Sequence, residues 1–253
     1  MGKIRAFFRL HSKKDNLLVQ REKLNFLVSR LSGKKVFMGN GMEKGAIITT
    51  PYGLFYCRKN KNDLHIISPH YEFEEIEIFK NLLKNSKIVF DVGAHIGKYS
   101  IMSSKLNPNA KVYSFEGAED NFRILSMNKK INHLNRLHLI NKALSNKIGK
   151  EKFYLSQTGL MTEKSNKFKS VETETLDNFL RKNKIGYIDL IKIDVDGSEL
   201  DVLKGARKAL SKGIIRNIII EVSSKTKKEV MGLFSKYRYS VSQVLYNNYL
   251  VSR

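Results

Sequence analysis

Hydrophobic residues fall along this chain in short apolar runs separated by helical periodicities. Ile88 to Phe90, Lys111 to Phe115, Leu137 to Asn141, Tyr187 to Asp194 and Ile214 to Glu221 read as strands buried on both faces. Between them, helices are predicted from Glu72 to Leu83, after Gly97, from Glu119 to Ile131, from Thr175, from Ser198 to Leu210 and near Lys225 to Lys236. Tyr239 to Tyr246 and Tyr249 to Arg253, around a turn at Asn247-Asn248, read as a closing antiparallel pair. Alternating strands and helices that end in a hairpin predict an α/β fold, a doubly wound, Rossmann-like sheet with a terminal antiparallel strand.

Two further regions stand outside that alternation. Residues 36–72 are predicted as a β-hairpin extension: Gly45 to Thr50, a turn at Pro51-Tyr-Gly53, and Leu54 to Cys57, prolonged by Ile66 to Ser68. Residues 1–35 are read as a basic segment with Leu17, Leu24, Leu27 and Leu31 on one helical stripe, suited to packing on the domain or pairing between subunits, and less so to touching a membrane surface. The remainder, 73–253, is the expected main domain. A second hairpin, Lys150 to Ser156 and Ser170 to Thr173, brackets the polar loop Gln157 to Lys169 in the place where such folds cover a substrate.

The first strand carries the most specific chemistry. It ends in Asp91 and runs into a turn with Gly93, Ala94, His95 and Gly97; nineteen residues past Gly97, the second strand ends in Glu116. Glycines let a backbone approach a ligand, and a strand-terminal acid accepts hydrogen bonds from ribose hydroxyls. A dinucleotide site wants G-x-G-x-x-G, with pyrophosphate on the helix N-terminus. Here the pattern is Asp91-x-Gly93-x-x-x-Gly97, and an acid in front repels pyrophosphate. A cationic, amino-acid-bearing nucleoside without phosphate, S-adenosylmethionine, suits it better.

Phe90 to Ser100, Ser114-Phe-Glu116, Asn141 to Ser145, Glu174 to Asp177 and Ile188 to Glu199 together resemble the FkbM-type methyltransferases, in that family's order. The family usually has Asn at His95, Pro at Gly117 and Glu at Asp196. The resemblance implies a class I methyltransferase fold, S-adenosylmethionine as cofactor, and O-methylation of a sugar, glycan or other small hydroxylated acceptor. It assigns cofactor contacts to Asp91, Gly93, Ala94, His95, Gly97, Glu116, Asn141, Ala143 and Asp194.

A second constellation, Asp194, Asp196 and Glu199, gathers three carboxylates where the strand from Tyr187 ends. Helix capping accounts for part of it. Capping does not account for Asp194 closing the most apolar strand, where a carboxylate needs a partner; Lys192, two residues earlier, is the candidate. Clustered carboxylates raise one another's pKa, so these three are the expected catalytic residues for taking a proton from a hydroxyl. Glu72, His70 and Lys192 are the expected substrate contacts. His65 and His70 rank behind the acids as bases, and no metal is expected from a corner without His or Cys ligands.

Composition narrows the rest. A single cysteine, Cys57, excludes an intrachain disulfide framework. Absence of any apolar run near 18 residues argues against a transmembrane helix, and cytoplasmic residence, peripheral to a membrane or not, is the expectation. A net charge of +22 draws nucleic acid, anionic lipid or an acidic substrate, or reflects a solvated lysine-rich surface. Three readings therefore compete: an O-methyltransferase of small acceptors, an RNA (ribose) methyltransferase, and a non-catalytic cofactor-fold binding protein. With prolines only at 51, 69 and 108, the Asn/Asp-Pro-Pro-aromatic motif of base-amine methylation is absent.

Overall fold

A computed structural model describes residues 45–69, 71–155, 160–161 and 168–253, the side chains of 155, 160 and 161 excepted. The basic segment 1–35, His70 and most of the Gln157 to Lys169 loop lie outside the described residues. The chain opens with β1 (Ala46–Thr50) and β2 (Gly53–Cys57), paired antiparallel, then a one-turn helix α1 (Asp63–Ile66) and α2 (Phe73–Leu83). There follow β3 (Ile88–Val92), α3 (Lys98–Leu106), β4 (Lys111–Phe115), α4 (Glu119–Ile131) and β5 (Leu137–Ile140). Short strands β6 (Ala143–Leu144), β7 (Gly149–Leu155), β8 (Leu160–Met161) and β9 (Phe168–Glu174) form a separate sheet in the order β6-β9-β7-β8. After α5 (Leu176–Lys182) come β10 (Ile188–Ile193), α6 (Glu199–Lys204), α7 (Arg207–Ser211), β11 (Ile215–Glu221), α8 (Lys227–Lys236), β12 (Ser240–Leu245) and β13 (Asn248–Ser252).

The main sheet has seven strands ordered β12-β13-β11-β10-β3-β4-β5, with β13 antiparallel between β12 and β11. Each central strand is apolar on both faces, and alternate residues feed two separate cores. Phe90, Ile191 and Ile218 pack with α5 to α8 on one side. Val89, Leu190 and Ile219 pack with α2, α3 and the β1–β2 hairpin on the other. This is the doubly wound arrangement expected from the strand pattern. No helix among the described residues is long and apolar enough to cross a membrane.

Three sequence expectations are corrected. Ile66 to Ser68 does not prolong the hairpin: Arg58 grips the Asp63 carboxylate through Nε and Nη2 (2.8 and 2.7 Å) and through its backbone N–H (2.8 Å). That clamp folds the segment into α1 instead. The helix expected from Ser198 to Leu210 breaks at Gly205, which lies so close to another segment that a Cβ would sit 2.0 Å from the Ser145 carbonyl oxygen. Asp177 then caps the second piece through the Lys208 and Ala209 N–H groups, both at 2.8 Å. The last hairpin turns one residue early, with Tyr246 at φ 44° and Asn248 already in β13.

The hairpin is fastened to the domain by two buried asparagines of α4 and its C-cap. Asn128 accepts the Tyr56 N–H (2.7 Å) and donates to the Ile96 carbonyl (2.8 Å), while Asn132 bonds both backbone groups of Leu54. Asn128→Ala orphans two backbone groups, and each such loss costs about 1–3 kcal/mol. We expect urea unfolding of that variant to show about 2–4 kcal/mol lower stability, with protease cleavage appearing first between β1 and β2.

Candidate active site

Four parallel strands end side by side at the carboxyl edge, and each delivers something to one open cavity. β4 delivers Glu116, β3 the turn Gly93 to His95, β10 Asp194, and β11 Glu221; Glu72, Lys98 and Tyr99 close the cavity from α2 and α3. In an open α/β sheet this edge is where ligands bind.

The Gly93 turn is pressed against the end of β10. Gly93 has φ 82°, and a Cβ there would lie 1.8 Å from the Asp194 carbonyl oxygen, so no side chain fits. Its N–H and that of Ala94 both bond the Phe115 carbonyl at 3.0 Å, tying the turn to β4. Gly97 starts α3 and is left out of the cavity lining. Three non-glycine residues of the lining, Glu72, His95 and Asp196, also have positive φ (60°, 51° and 45°). Asn, Asp and His tolerate this region best, and His95 and Asp196 are of that kind.

Glu116 is buried and held from two sides, by the His95 N–H (2.8 Å) and the Ala118 N–H (2.7 Å). Burial nevertheless pushes its pKa up to about 7 against the pull of those bonds. Asn141 is outside the lining; its side-chain amide donates to the Glu116 carbonyl (2.8 Å) and positions that strand end, while Ala143 lines the cavity. Asp91 lines it too, but its carboxylate accepts from Ser100 Oγ, and burial raises its pKa to about 6.

The other half is a charge network. Lys192 is fully buried, with its ammonium 3.0 Å from Glu75 and 3.5 Å from Asp194. Burial pulls its pKa down, but Asp194 and Glu75 outweigh that and hold it well above its usual value. The Tyr99 hydroxyl lies 2.5 Å from Glu75 and 3.0 Å from Glu72. Lys98 donates to the Tyr71 carbonyl (2.7 Å), 3.9 Å from Glu72, and burial lowers its pKa to about 8. Carboxylate oxygens of Glu72, Asp194 and Glu221 all lie within 4.8 Å of one another, close enough to converge on one hydroxyl or cation. Burial, then the charge of Asp194, raises Glu221 to about 7.

The structure thus assembles a different acid trio from the sequence. Asp194 and Asp196 line the cavity, whereas Glu199 does not. Glu199 is buried beneath the loop, where it accepts the Gly197 N–H (2.7 Å) and lies 3.4 Å from the Thr226 hydroxyl. Ser198 occupies the N-cap position of α6 without a side-chain capping bond. Sequence reasoning missed Glu75 and Glu221, although Glu221 carried the same signal as Asp194: an acid ending an apolar strand.

The profile of the family described as Methyltransferase FkbM domain matches residues 91–241, more than half the chain. Curated proteins similar to the chain include Methyltransferase sdnD of Sordaria araneosa, 27% identical over 55% of this chain and 67% of that protein. 2-O-methyltransferase NoeI of Sinorhizobium fredii is 26% identical over 54% of this chain and 64% of that one. Hexuronic acid methyltransferase AglP of Haloferax volcanii is 25% identical over 66% and 70%. The chain therefore spans about two thirds of these relatives' lengths.

A carboxyl whose pKa is raised by folding stabilises the fold in its protonated form. Its contribution is full below the unfolded value and is lost as pH rises through the folded one. For Glu116, raised from its ordinary 4.5 to about 7 in the fold, that window runs from about pH 4.5 to about pH 7. Glu116→Gln, which cannot ionise, should lose less stability across this window than the parent, by on the order of 2–3 kcal/mol in paired urea titrations. Parallel curves would show that Glu116 is not buried as described.

Proposed function

The chain belongs to the FkbM methyltransferase family, and on that premise we propose that it methylates a hydroxyl of a sugar, a glycan or another small polyhydroxylated acceptor. It is an S-adenosylmethionine-dependent methyltransferase. The cofactor side of the cavity fits that donor: a glycine turn with no room for a Cβ, and the fastened Glu116 carboxylate to receive ribose hydroxyls. Bound there, S-adenosylmethionine supplies an electrophilic methyl group on a sulfonium.

The observation that carries the acceptor reading is the meeting of Glu72, Asp194 and Glu221 beside the Gly93 turn. Methyl transfer is a single in-line displacement, so alignment supplies much of the acceleration. Asp194, braced by Lys192, orients the acceptor hydroxyl. Glu221 takes its proton as the oxygen forms its new bond; a carboxylate with a pKa of about 7 is matched to that task near neutrality. Paired carboxylates are a natural receptor for hydroxyls, and one of the relatives is named for a 2-O-methyl transfer. The charge of +22 favours a second reading, a ribose hydroxyl of RNA, against which stands the acidic mouth of the cavity.

Because the base acts ionised, single-turnover rate should rise with pH and level off above about pH 7. Glu221→Gln is expected to flatten that profile and slow transfer by about 10²–10⁴-fold. Its affinity for S-adenosylhomocysteine, read by calorimetry, should stay close to the parent's. A parent-like rate and profile in the folded variant would remove Glu221 from this role.

A further inference from the structure

The surface and the cavity carry opposite charge. With +22 overall, the chain's outer field attracts anions, and a first guess would make the acceptor acidic. Around the acceptor half of the cavity the described residues say otherwise. Glu72, Asp194, Asp196 and Glu221 line it, against two lysines, Lys98 and Lys192. Both ammoniums are buried and already engaged, Lys98 by the Tyr71 carbonyl and Glu72, Lys192 by Glu75 and Asp194. Neither is available to receive an incoming carboxylate or phosphate.

Resting on the O-methyltransferase reading above, we propose that the methylated unit of the acceptor is neutral or amine-bearing, and that Glu72, Asp194, Asp196 and Glu221 exclude uronate- and phosphate-bearing units. Hydroxyl and ammonium groups donate to carboxylates in strong, charge-assisted hydrogen bonds. A carboxylate entering the same partly desolvated space meets like charge at close range, and that repulsion discriminates between otherwise similar partners. Ser198 adds a polar residue to the same wall. Ser198 lines the cavity, is only 4% exposed, and its Oγ has no hydrogen-bond partner among the described residues. Its hydroxyl can donate or accept, so the discrimination rests on the four acids.

The test uses the full chain, labelled S-adenosylmethionine, and three matched probes: para-nitrophenyl glucoside, glucosaminide and glucuronide. Neutral and acidic glycan fractions separated by anion exchange are run beside them. Transfer is expected to the neutral and amine-bearing acceptors, with kcat/KM for acidic ones lower by about tenfold or more. Equal or faster labelling of the glucuronide or the acidic fraction overturns the inference and leaves the O-methyltransferase reading standing. No label in any glycan, with S-adenosylhomocysteine still bound in calorimetry, overturns the sugar reading itself, and the inference with it. Glu72→Gln and Asp196→Asn, checked for folding by thermal midpoint, should each narrow the neutral-to-acidic ratio by about tenfold. A ratio unchanged in both folded variants would take the discrimination away from these acids.

Discussion

Burying the Lys192 ammonium in the middle of a sheet costs several kcal/mol unless its charge is met, and Glu75 and Asp194 meet it from two different elements. Glu75 belongs to α2 and Asp194 follows β10, so the pair of contacts pins a helix from outside the central alternation onto the catalytic edge. Tyr99 joins the same node and reaches Glu72, which closes the cavity. Removing one partner would leave an uncompensated buried charge, and such losses run to about 3–5 kcal/mol. The node is therefore a structural requirement whose geometry also fixes where Asp194 points.

Much of this was legible in the chain. The succession of strands along the chain, the glycine turn and the acid at position 116 followed from periodicity and spacing, because those features are local. What escaped was set by contacts distant in sequence. Glu75 reads as an ordinary acid in the first turn of a helix, and only its encounter with Lys192 shows it to be interior. Glu199 follows Asp194 by five residues, yet the αL turn at Asp196 and Gly197 sends it to the far side of the loop. Likewise the Ile66 to Ser68 run looked extended by composition, but the Arg58–Asp63 clamp decides its path. Adjacency along the chain did not translate into a shared surface.

The cavity also concentrates strained backbone. Glu72, His95 and Asp196 adopt a conformation that costs a non-glycine residue about 1 kcal/mol or more, and all three border the same space. Glu72 is held there by the Tyr99 hydroxyl and the His95 backbone by Glu116. A rigid frame that tolerates such residues is preorganised before any ligand arrives, which suits a reaction governed by alignment.

One feature of the topology bears on how the molecule is made. β13, the strand latest in the sequence, lies inside the main sheet between β11 and β12, both of which precede it. During synthesis, β11 and its run Ile218-Ile-Ile220 must wait with an open, apolar edge until residue 252 has left the ribosome. Vectorial translation at about 5–20 residues per second makes that wait a matter of seconds after β11 itself emerges. During that interval α8 is the element available to shield the strand, and a nascent chain stalled there would present an unpaired template to its neighbours.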